Sequence, residues 1–132
     1  ERVKAGCIFF FVDRSNCIDS YIDNRAPRSN YCYDTHNYFR TKEEAEEYAE
    51  VLEIKRQLMK FADEHNNEID WKNAKKPKYF IVYEHHTCDL ITNLGYTGKI
   101  SEVIYFSSKE IAEQAIDEIG EDNIKKYLTY EW

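Results

Sequence analysis

Glycine and proline are scarce: Gly6, Gly95, Gly98 and Gly120 are the only glycines, and Pro27 and Pro77 the only prolines. Glycines spread this way leave no G-x-G-x-x-G turn and no P-loop, which excludes the two common backbone cradles for nucleotide phosphates. Apolar runs are short as well. The longest, Cys7 to Val12, is strand-sized and far below the roughly 18 apolar residues that a spanning helix requires, so no membrane segment is expected. The same run lacks the length and small-residue cleavage site of a secretory signal, and the opening Glu1 suggests that the natural chain starts further upstream. Cys7, Cys17, Cys32 and Cys88 show no C-x-x-C spacing; without an export signal, reduced thiols and a cytoplasmic setting are expected. Positive charge is also in deficit. A net charge of -7 argues against a generic grip on a phosphate backbone, so direct nucleic-acid binding is disfavoured and a basic protein partner favoured.

What is present suffices for a fold. At 132 residues, with 42% hydrophobic and 15% aromatic content, the chain can offset its ordering entropy and is expected to form a single domain, 1–132, around one shared core. The segment Tyr38 to Glu47 aligns with Tyr105 to Gln114, sharing Tyr, Phe, Lys, Glu, Ala and Glu at six of ten positions. Each is a strand end turning into a helix. An aromatic pair closes the extended run, a hydroxyl accepts from orphan amides of the first turn, and acidic residues favour its positive end. Thr41 with Glu44 reads as a capping box, and Ser107 with Glu110 as another, one position out of register.

Upstream, Ile8–Val12 corresponds to Tyr79–Tyr83, both with the aromatic and β-branched composition of buried strands, and the alignment places Cys17 opposite Cys88. Second strands are expected around Ile18 to Ile22 and Leu90 to Ile91, and third strands around Tyr31 to Phe39 and Ile100 to Phe106. A long helix is predicted from Lys42 to His65, with Ala45, Tyr48, Ala49, Leu52, Met59 and Ala62 facing inward and Val51 and Leu58 widening the stripe. A second should run from Lys109 to Ile119 and stop at Gly120, and a short one from Asp122 to Leu128. The fold class is therefore α+β: two diverged hairpin-and-helix repeats, residues 7–66 and 79–128, joined by an ordered connector at 67–78 that carries Trp71.

Residues with chemistry are few and unpatterned. His85, His86 and Cys88 are zinc-ligand types, and Cys17 would join them if the repeats packed symmetrically, but structural zinc sites show two spaced ligand pairs. Polar turn residues beside a small buried cysteine are the favoured reading. No metal, cofactor or catalytic residue is assigned, and no motif pairs a nucleophile with a base, so an enzyme is not expected. The acidic face stands out more. Lys42 to Glu53 contains six glutamates and one lysine, a surface that can mimic nucleic-acid phosphates toward a basic groove or simply be a solvated helix face with acids at its amino end. Glu43, Glu46, Glu47, Glu50 and Glu53, with Tyr31 and Tyr33, are the expected partner-binding residues. The tyrosines, with Arg25, Arg28 and Lys72 to Lys78, also allow a base-stacking reading, although most are accounted for as core residues.

The Tyr-Phe-x-Thr-Lys-Glu-Glu-Ala-Glu element at Tyr38, Phe61 to Asn66, Trp71, Lys78 to Ile81, and Ile119 to Leu128 together resemble small accessory proteins of phages and prophages of Gram-positive bacteria. The resemblance spans roughly residues 36 to 128 and carries no catalytic residues. It implies a non-enzymatic protein, cytoplasmic in the host cell, that binds and inhibits or redirects a host protein such as a CRISPR nuclease. A nucleic-acid-binding module and a binder of a signalling nucleotide, the latter between repeats of a homodimer, are the alternatives.

Overall fold

The computed structural model describes residues 1–132 and is α+β, with four helices and two antiparallel two-stranded sheets. The chain divides into two compact units, Glu1–Glu53 and Ile54–Trp132. Each unit contains one cluster of buried hydrophobic residues.

In the first unit, β1 (Ile8–Val12) pairs with β2 (Ile18–Ile22), Phe10 opposite Ser20. The Asp13 carboxylate shapes the turn by accepting from the Ser15 and Cys17 amides at 2.8 and 2.9 Å, which leaves Asn16 at a φ of 60°. Residues Pro27–Asp34 form helix α1, a correction to the third strand expected from Tyr31. Proline at the first helical position presets φ and has no amide to leave unpaired, and this outweighs the strand-like composition of Tyr31-Cys32-Tyr33. The expected strand shrinks to one bridge, Phe10 with Phe39. Beside it the Asn37 side-chain amide imitates a strand residue, donating to the Val12 carbonyl at 2.7 Å and accepting its N–H at 2.8 Å. Phe9, Phe11 and Cys32 are buried together, with Val3 and Tyr38 against them.

Helix α2 (Lys42–His65) opens with the Thr41 hydroxyl accepting from the Glu44 amide at 3.2 Å, as the capping pattern predicts. The boundary between the units falls within it. Ala45, Ala49, Val51, Leu58 and Ala62 are buried, Tyr48 and Leu52 half-buried, and Met59 is exposed. In its second half the inward positions are instead Ile54, Leu58, Phe61 and Ala62, spaced 4, 3 and 1.

In the second unit, β3 (Lys78–Glu84) pairs with β4 (Asp89–Gly95), Lys78 opposite Gly95 and Glu84 opposite Asp89. The other third strand is likewise a single bridge, Tyr79 with Phe106. Helix α3 (Lys109–Ile119) is capped by Ser108, whose hydroxyl accepts from the Ile111 amide at 3.2 Å. Ser107, the expected cap, accepts from Asn67 N–H at 3.0 Å instead. Gly120, at a φ of 103°, separates α3 from α4 (Glu121–Thr129). Ile81, Phe106, Ala112, Ala115 and Ile124 complete a core with the α2 residues.

Candidate interaction surface

Helical spacing alone puts Glu43, Glu46, Glu47 and Glu50 on one stripe of α2, and Glu53 continues it. All five are exposed, while Ala45 and Ala49 on the inward side are buried. Lys42 is the cation within this stretch and lies 3.8 Å from Glu46, an exposed pair that neutralises little. Tyr31 and Tyr33 belong to α1, so two elements rather than one present the residues singled out from the sequence. Tyr31 is the freer of the two, 69% exposed. Tyr33 has the Arg2 guanidinium 4.9 Å above its ring and meets the Tyr38 ring edge-on at 5.3 Å.

Arg2 leads to a network that sequence reading missed. The fully buried Asp23 carboxylate accepts from Arg2 Nε and Nη2 at 2.8 and 3.0 Å, Arg25 Nη1 at 2.6 Å, Arg25 N–H at 3.1 Å and the Tyr38 hydroxyl at 2.7 Å. The Arg2 guanidinium, with these other donors, holds the Asp23 acid far below the usual carboxylate range despite its burial. Burial, and then the Asp23 carboxylate, push the Tyr38 hydroxyl up. Every oxygen of Asp23 is occupied, so the cluster ties the amino end, β2, α1 and the approach to α2 together rather than offering a reactive acid. The signal available was Asp23-Asn24-Arg25-Ala26-Pro27, a turn-and-helix-start run.

The hairpin turn of the second unit gathers His85, His86 and Cys88 as exposed residues. Glu84 is held below its ordinary range by accepting from the His86 and Thr87 amides, which fixes the turn. Cys88, at a φ of 60°, points its thiol at the His85 carbonyl, 3.8 Å away. No group of three His, Cys, Asp or Glu side chains is placed to hold a metal ion. All four cysteines are free, with Cys17 in the first unit and Cys88 in the second.

Lys78 was also unforeseen. It is 1% exposed, and its ammonium donates to the carbonyls of Asn73 and Tyr96 at 2.7 and 2.6 Å with the Trp71 ring 5.6 Å away. A small apolar cavity of about 70 Å³ lies in the same unit, lined by Leu58, Ile81, Phe106, Ile124 and Tyr127, with too little polar lining to orient a ligand.

Fold and surface together define an α+β protein whose distinctive exposed feature is a glutamate stripe. No helix is long and apolar enough to cross a membrane. No family model, curated protein or solved structure matches the chain.

Proposed function

We propose that the chain is a non-enzymatic accessory protein of the phage and prophage type, acting in the host cytoplasm by docking on a basic surface of a host protein, such as the nucleic-acid groove of a defence nuclease. The observation that supports this reading is the exposed stripe Glu43, Glu46, Glu47, Glu50 and Glu53, opposite buried Ala45 and Ala49. Its spacing gives a line of negative charge about 15 Å long at 1.5 Å per residue, comparable in length to a few phosphates of a nucleic-acid strand. A complementary potential of that kind speeds encounter and sets orientation, and both effects weaken as salt rises. Tyr31 adds an exposed aromatic on α1, of a residue type enriched where interfaces concentrate their energy.

Binding to a CRISPR effector nuclease tests the reading directly, comparing the native chain with the Glu43→Lys, Glu46→Lys, Glu47→Lys, Glu50→Lys variant. These residues are exposed, so the variant should fold normally by circular dichroism. Expected are nuclease inhibition by the native chain and an association rate at least tenfold lower for the variant at low salt. Inhibition untouched by the four reversals would remove the acidic stripe as the docking surface.

A further inference from the structure

Two groups stand out among the twelve lysines of this acidic chain. Lys42, Lys55, Lys60, Lys109 and Lys125 each lie within 4 Å of a glutamate carboxylate. Lys72, Lys75, Lys76 and Lys99 are exposed and have no such partner. Three of these come from a stretch, between Asp70 and Glu84, that has four lysines and no acid.

The stretch is folded. Two successive turns build it: Asp70 Oδ1 accepts from Lys72 N–H at 3.0 Å, and Asn73 Oδ1 from Lys75 N–H at 3.0 Å. The Asp70 carbonyl accepts from Asn73 N–H at 3.2 Å and the Asn73 carbonyl from Lys76 N–H at 3.3 Å. Lys78 fastens the second turn from beneath through that same Asn73 carbonyl. Next to the turns stands the half-buried Trp71 ring, with the Lys78 and Lys99 ammonium groups 5.6 and 5.7 Å from its centre and the Tyr105 ring edge-on at 4.8 Å. Tyr96, whose carbonyl holds Lys78, is 47% exposed.

We infer that the connector, Lys72, Lys75 and Lys76 with Lys99 around Trp71, is a binding surface for single-stranded nucleic acid. Unpaired ammonium groups held on fixed turns beside an aromatic ring are the two components such sites combine, cations for the phosphates and a ring for the bases. A double helix keeps its bases stacked and admits a helix or β-ribbon in its groove, neither of which the connector supplies. An acidic peptide would use the lysines but gain nothing from the indole. The net charge of -7 counts against such a site and the exposed Glu68 and Asp70 flank it, but from Trp71 to Tyr83 the chain carries lysines and no acid.

The test uses the full chain carrying Trp132→Phe, which leaves Trp71 as the single indole, and titrates it with a twelve-residue oligothymidine. Oligothymidine should quench Trp71 emission at 50 mM salt. With three to four phosphates neutralised, log K against log salt should slope between about -2 and -3, a roughly 20- to 50-fold loss by 200 mM. Lys72→Glu with Lys75→Glu should abolish quenching while leaving the circular dichroism spectrum unchanged. No quenching at 50 mM salt, quenching that survives the two reversals, or equal quenching by polyglutamate of the same length would each overturn the proposal.

Discussion

At Lys78 a cation is sealed inside the protein without a carboxylate to balance it. Two carbonyls and the Trp71 ring take that role, so the ammonium is hydrogen-bonded rather than ion-paired. Lys78→Met keeps the aliphatic stem and its packing but removes both donors, leaving the Asn73 and Tyr96 carbonyls to find water. The expected loss is about 2 kcal/mol, at roughly 1–3 kcal/mol for a stranded buried polar group and less where water can reach it. Urea unfolding of the full chain reads this as a lower midpoint with an unchanged slope. A midpoint equal to that of the native chain would show that the two bonds add nothing to stability. In the sequence Lys78 follows Pro77 and three other lysines and looks like one more solvated charge. Only the return of β4 opposite β3, which brings Tyr96 back beside it, turns this lysine inward.

At the scale of the element, helix ends make the sharpest predictions. Gly120 links α3 to α4 at a φ of 103°, a conformation that L side chains rarely adopt. A Cβ there would have room, its nearest neighbour being Asn123 Nδ2 at 3.4 Å, so Gly120→Ala should cost about 1–3 kcal/mol through backbone strain alone. Ser108→Ala should cost about 1 kcal/mol through the lost cap. Thermal melts check both, and a stable Gly120→Ala protein would mean that the α3–α4 link relaxes to another backbone. The limits of β1, β2, α2 and α3 were legible because strand composition marks the first two and helical period the others, with the Thr41 cap fixing the start of α2. Helix α1 was not. Its aromatic residues carry strand propensity, and only Pro27, with the Asn24 side chain accepting from Ala26 N–H at 3.1 Å, marks the start of a helix. The third strands failed differently: one residue of each, Phe39 and Phe106, completes a bridge and the rest is turn or helix. The glutamate stripe was readable in full because helical spacing fixes which residues share a face, whereas Asp23 depends on contacts 21 residues back and 15 residues on.

For the molecule as a whole, each unit has its own buried cluster, and they differ in what sustains them. The second unit buries nine hydrophobic residues in its cluster; the first clusters Phe9, Phe11 and Cys32, buries Val12, Ala45, Ala49 and Val51 besides, and adds the polar clasp at Asp23. The sign of the resulting pH dependence follows from Asp23. Its folded pKa lies below the unfolded value of about 3.9, so its stabilisation is present above that value and is lost as pH falls through and below it. Asp23→Asn keeps the shape but removes the charge, leaving Arg2 and Arg25 without their counter-ion, and should cost about 2–3 kcal/mol at pH 7. That gap should narrow steadily below about pH 4, where the native acid begins to protonate in the unfolded chain. Urea titrations at pH 7, 4 and 3, followed by NMR at the amides of Phe9, Phe11 and Cys32 and at those of Ile81, Phe106 and Ile124, separate the clusters. The first set should respond to Asp23→Asn and to acid ahead of the second. A gap between native and variant that stays constant down to pH 3 would show that hydrogen-bond geometry, not the ionised carboxylate, is what Asp23 supplies.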